Sequence, residues 1–123
     1  MRRVEPSRAR FGRAMSNLVR DAGNTGWLTS AGNPNWHVFA NELDGVHYET
    51  LRKALAGERE PTPAVMEECA RVLDIDPRYF VEYRLNEARE LFDPRNVGLE
   101  RALENFDRWA SVASTGRRAR RRA

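Results

Sequence analysis

One cysteine, one lysine and two histidines stand among the 123 residues, and each scarcity closes off a class of function. A lone Cys69 cannot form an internal disulfide, so a disulfide-stapled scaffold is excluded and a reduced, cytoplasmic setting is expected. As a nucleophile Cys69 would need a neighbouring base, and the residues around it supply none. His37, His47 and Cys69 show no recognised metal-ligand spacing. No catalytic triad, phosphate loop or cofactor motif is visible, so neither an enzyme nor a cofactor is expected. No apolar run approaches the length of a membrane span, and Met1-Arg2-Arg3 leads into polar sequence rather than a signal peptide.

What is present suits a small helical domain. Hydrophobic residues make up 41% and charged residues 32%, with a mean hydropathy of −0.72. That balance supports one modest core under a soluble surface. The net charge of +3 is segregated. Residues 1–20 carry +5 and residues 117–123 another +5, leaving −7 between them. Nucleic acid would attract the two ends, while the acidic middle would restrict contact to chosen faces. Twenty of the 21 cationic residues are arginine, a bias that a GC-rich genome alone would explain.

Helical periodicity recurs along the chain. Residues 8–22 place Phe11, Ala14, Met15, Leu18 and Ala22 on one stripe, with Ser7 as expected N-cap and Gly23 as stop. Residues 23–35 are rich in turn formers and too irregular for an element. Trp27-Leu28 is expected to tuck back onto the core. Residues 36, 39, 40 and 43 share a helical face that Asp44-Gly45 ends, since glycine accepts the left-handed conformation of a tight turn. A helix over 47–56 turns Leu51 and one of Ala54 or Leu55 inward and leaves Tyr48, Glu49, Arg52 and Lys53 outside. Thr62-Pro63 opens a fourth helix with Val65, Met66, Cys69, Val72 and Leu73 inward. Asp76-Pro77 opens a fifth, which carries Tyr79 and Phe80 into the core and runs on to Phe92. Asp93-Pro94 breaks it. A last helix over 97–113 bears the apolar stripe Leu99, Leu103, Phe106 and Trp109, and 114–123 is a low-complexity basic tail expected to be disordered.

Two short helices joined by a glycine turn, the second with a polar and cationic outer face, read as a helix-turn-helix. The linked order Val38-Phe39-Ala40, Gly45-Val46-His47-Tyr48-Glu49-Thr50-Leu51, Gly57-Glu58-Arg59, Pro61-Thr62-Pro63 and Ala70-Arg71-Val72-Leu73-Asp74-Ile75-Asp76-Pro77 resembles the Cro/phage-repressor-type (XRE-like) DNA-binding family. The resemblance covers roughly residues 8–80. Ala40 and Gly45 stand five apart where the family spacing is four, so this turn carries an extra residue.

The resemblance implies an all-α chain in three parts. A five-helix phage-repressor-like helix-turn-helix domain would occupy 1–80, an added helical extension 81–113 and the tail 114–123. It implies base contacts from His47, Tyr48, Glu49, Arg52 and Lys53. Arg52 would grip guanine O6 and N7, Glu49 would accept from cytosine N4, and Tyr48 would meet a thymine methyl or a phosphate. Simple ion pairing among Glu49, Arg52 and Lys53 on an exposed helix is the plainer alternative. Phosphate contacts are expected from Asn35, Trp36, Thr50 and Arg59. The tail arginines Arg117, Arg118, Arg120, Arg121 and Arg122 would either add to them or form an inert solubilising end. The stripe Leu99, Leu103, Phe106 and Trp109 either covers its own domain or joins a second copy. The homodimer is favoured, because members of the family often work as dimers.

The expected function is a sequence-specific double-stranded-DNA-binding transcriptional regulator, nucleoid-associated in the cytoplasm. Two rivals use the same fold. One is an antitoxin or protein-binding adaptor that holds a protein partner with its C-terminal helices. The other is a low-specificity nucleoid-organising protein.

Overall fold

A computed structural model describes residues 2–92 and, beyond them, Glu104, Asp107 and Arg108, which are helical and exposed. Leu99, Leu103, Phe106, Trp109 and the tail arginines from Arg117 to Arg122 lie outside the described residues. The described part is all-α: α1 Phe11–Asp21, α2 Trp36–Ala40, α3 Tyr48–Ala56, α4 Pro63–Leu73 and α5 Val81–Phe92, with 3₁₀ turns at Thr25–Trp27 and Pro77–Tyr79. It divides into two compact units, the first running to Tyr83 and the second beginning at Arg84. No helix among the described residues is long and apolar enough to cross a membrane.

In the first unit, Phe11, Met15, Val19, Phe39, Leu51, Met66, Cys69 and Phe80 are fully buried. Phe11 and Phe80 meet with ring centroids 5.0 Å apart, so the start of α1 closes against the residue that precedes α5. Phe80 breaks the helix expected to run unbroken from Asp76. The 3₁₀ turn Pro77–Tyr79 ends at Phe80, whose extended backbone (φ −80°, ψ 129°) lets its ring enter the core before α5 begins.

The start of α1 also departs from expectation. Ser7 Oγ accepts from the N–H of Ala9, which is a local turn and not a helix cap. The helix begins at Phe11, whose N–H donates to Glu82 Oε2 at 2.7 Å. A carboxylate from 71 residues downstream thus satisfies a free N–H of the first turn, where the helix dipole also favours negative charge. The extended segment before α1 is tied to the far end of α4 and to the 3₁₀ turn after it, with Arg2 N–H on the Asp74 carbonyl at 2.7 Å and Ser7 N–H on the Tyr79 carbonyl at 2.9 Å.

The 23–35 segment is more ordered than its composition suggests. After the 3₁₀ turn, Leu28 and Pro34 form an isolated antiparallel bridge, and Asn35 N–H reaches the Trp27 carbonyl at 2.7 Å. Trp27 lies half-buried, edge-on to Phe39 at 5.2 Å.

Helix α4 follows its local signals. Thr62 Oγ1 accepts from the N–H of Val65, Pro63 opens the helix, and Val65, Met66, Cys69, Ala70 and Leu73 are buried. Burial pushes the Cys69 thiol up to about 12, and the carboxylate of Glu68 adds to the shift. Cys69 is a core side chain held as the neutral thiol.

Candidate nucleic-acid interface

The α2–turn–α3 unit carries the residues expected to face DNA. Helix α2 is shorter than its apolar face, because only Trp36–Ala40 is α-helical. Glu42 and Leu43 then donate to the Phe39 and Ala40 carbonyls three residues back, a tighter winding that still buries Leu43. Asn35 is the cap, its Oδ1 accepting from Val38 N–H. Trp36 is half-buried with its ring edge-on to Phe39 at 6.0 Å. The turn reverses at Gly45, where φ is +71°.

Helix α4 holds that turn from the side. Asp44 N–H donates to Glu68 Oε1 at 2.7 Å. Arg71 donates to the Glu42 carbonyl at 3.1 Å and pairs with Glu68 at 2.7 Å and Asp44 at 3.7 Å. The Arg71 guanidinium, and behind it the Asp44 N–H, hold the Glu68 carboxyl below its usual range. The turn between α2 and α3 is therefore pinned at its backbone, at Glu42 and at Asp44.

Helix α3 presses its inner face on α1. Leu51 and Ala54 are buried and Leu55 packs beside them. At Gly12 the two helices meet backbone to backbone. A Cβ there would collide with the Leu55 carbonyl oxygen and stand 3.1 Å from its carbon. Sequence reasoning passed over Gly12, since a glycine one residue into a helix looks like no more than a weak helix former.

Of the five residues expected to contact bases, His47 is the exposed N-terminal flank of α3 and adopts extended backbone rather than helix. Glu49 is exposed and Lys53 half-exposed, and Thr50, expected to meet phosphate, is exposed beside them. Tyr48 does not stand outside. It is half-buried against the core and stacks flat on His37 of α2, with centroids 3.7 Å apart and planes 19° from parallel. The stack ties the two helices together across the turn.

Arg52 is the most constrained of the five. Its Nε and Nη2 grip Glu49 at 3.0 and 2.6 Å, while Nη1 and Nη2 reach Glu58 at 3.4 and 3.3 Å. The hydrogen bonds that Arg52 donates to Glu49 and then to Glu58 raise the Arg52 pKa, and the same bond from Arg52 lowers that of Glu49. The sequence reading anticipated Glu49 and missed Glu58. The signal was present in Gly57. Its left-handed φ of +76° lets Gly57 N–H reach the Ala54 carbonyl and Glu58 N–H reach that of Lys53, the paired closure of a Schellman motif. That closure folds Glu58 back alongside Arg52. Arg59 is exposed beyond it.

Among the described residues no group of three or more His, Cys, Asp or Glu could hold a metal ion. Compared with protein-family models, with curated proteins and with solved structures, the chain matches none.

Proposed function

We propose that the protein is a sequence-specific double-stranded-DNA-binding regulator that lays α3 in the major groove. The observation that carries this reading is one polar face, Glu49, Thr50, Arg52 and Lys53, with His47 at its N-terminal flank, on a short helix fixed from three sides. Gly12 seats its back on α1, the His37–Tyr48 stack fixes its start to α2, and Glu68 and Arg71 pin the preceding turn. Reading bases demands such fixed placement, because a hydrogen bond to a base edge fails when its donor or acceptor wanders. The exposed arginines 2, 3, 8, 10, 13 and 20 supply the long-range attraction to phosphate. The apolar stripe Leu99, Leu103, Phe106 and Trp109 supports a two-fold dimer on half-sites about one helical turn apart.

A protein-binding adaptor is the second reading, and one observation favours it. Residues 36–80 carry nine carboxylates against five cations, which suits a cationic protein partner better than phosphate. Selection of duplexes from a random pool at stated salt separates the readings. An enriched motif whose binding is lost on scrambling supports the regulator. Uniform, steeply salt-dependent binding points to nucleoid organisation, and no binding at low salt favours the adaptor.

A further inference from the structure

A guanidinium offers two flat edges that can each donate a parallel pair of hydrogen bonds, and guanine O6 and N7 require one such edge. In Arg52 both are taken: Glu49 occupies the Nε–Nη2 edge and Glu58 the Nη1–Nη2 edge. Arg52 cannot grip a guanine in two places while both carboxylates stay. Glu49 is differently placed. Its Oε1 accepts from Nε and Nη2, whereas among the described residues Oε2 accepts only from Nε at 3.1 Å, and its side chain is 59% exposed against 38% for Arg52.

We propose, resting on the DNA-binding reading above, that Glu49 is the specificity-determining side chain of α3 and takes a cytosine N4 amino group as its donor. Arg52 is the positioning residue that aims the Glu49 carboxylate, and Glu58 keeps the second guanidinium edge from competing. The choice of base follows from lone pairs. In the major groove adenine N6 lies between the adenine N7 and thymine O4 acceptors, both of which repel a carboxylate. Cytosine N4 has only the guanine O6 on one side and a C–H on the other.

The test uses the full chain and a duplex selected from a random pool, with affinity measured at one stated salt concentration. The expected result is a cytosine at one position of each half-site, with binding unchanged when its paired guanine is replaced by 7-deazaguanine, which lacks N7. Glu49→Gln should lower discrimination at that base pair by about five- to 150-fold. Arg52→Ala should relax the same pair and no other, and the double variant should lose no more discrimination there than Glu49→Gln alone. Circular-dichroism melts of each variant establish that the fold persists. A loss on 7-deazaguanine substitution would hand the reading role to Arg52 and overturn the proposal. So would a Glu49→Gln variant that keeps every base preference of the parent, with operator binding itself left standing. A parent chain that selects no duplex sinks the DNA-binding reading, and this inference with it.

Discussion

The same local pairing occurs twice in the first unit and is put to opposite uses. Glu49 and Arg52 in α3, like Glu68 and Arg71 in α4, stand three residues apart and join through the arginine Nε–Nη2 edge. In α4 the pair reaches off its own helix. Arg71 donates to the Glu42 carbonyl, and Glu68 accepts the Asp44 N–H, so the pair staples one element to another. In α3 the remaining partner is Glu58, six residues on, and the whole cluster is local and faces solvent. An i,i+3 ion pair is worth little by itself on an exposed helix. What separates the two is whether backbone groups of a distant segment depend on the pair. They do at Glu68–Arg71 and do not at Glu49–Arg52.

The comparison holds only while α3 is fixed from behind, and breaking that seat should produce the largest effect. Gly12→Ala places a methyl group into the Leu55 carbonyl, and neither backbone can yield without parting α1 from α3. We expect a loss of about 3 kcal/mol, near the upper end for overpacking and well above the roughly 1 kcal/mol that alanine gains as a helix former. Chemical denaturation of the two proteins checks this. An unchanged or raised midpoint would show that the two helices do not touch at Gly12.

The staple and the surface cluster should part company next. Arg71→Ala frees the Glu42 carbonyl and leaves Glu68 holding Asp44 alone, so the melting temperature should fall. Arg52→Ala removes only exposed pairs and should leave it nearly unchanged, while altering duplex binding. Paired thermal melts measure the difference. Equal shifts would make both pairs surface ornaments, and a larger shift for Arg52 would reverse the assignment.

These contrasts also mark how far the sequence could be read. Elements whose signals lie within a turn of themselves were legible: the Thr62-Pro63 start of α4, the end of α3 at 56, the turn at Gly45, and the inward residues Phe11, Met15, Leu51 and Cys69. Features set by partners distant in the chain were not. Glu82 moves the start of α1 to Phe11, Phe80 interrupts the helix expected from Asp76, and i→i−3 hydrogen bonding shortens α2 while leaving its apolar face intact. The candidate site divides the same way. That Glu49, Thr50, Arg52 and Lys53 share an outer face follows from the helical repeat. Tyr48 was misplaced because the ring it stacks on, His37, belongs to another helix. The role of Arg71 was invisible because a Glu-x-x-Arg spacing is identical whether or not a carbonyl lies within reach.

The finest difference between the two pairs should appear in acid. Both Glu49 and Glu68 have carboxyls held below their usual value of 4.5, in each case chiefly by a hydrogen bond from the neighbouring arginine. A carboxyl whose pKa is depressed on folding adds stability that is complete above the unfolded pKa. That contribution is lost as pH falls through the lower folded value, because the native state must then take up a proton against its hydrogen bonds. Glu68 has the second hydrogen bond from Asp44 N–H and a side chain only 20% exposed, against 59% for Glu49. Screening by solvent should therefore weaken the Glu49 contribution more. Melting temperatures followed from about pH 6 down to about pH 3 in the parent, Glu49→Gln and Glu68→Gln proteins read this directly. The decline below the usual carboxylate pKa should be shallower in Glu68→Gln than in the parent, with Glu49→Gln close to the parent. Identical acid limbs in all three would mean that neither carboxylate couples to folding, and that the α4 staple acts through Arg71 and the Glu42 carbonyl alone.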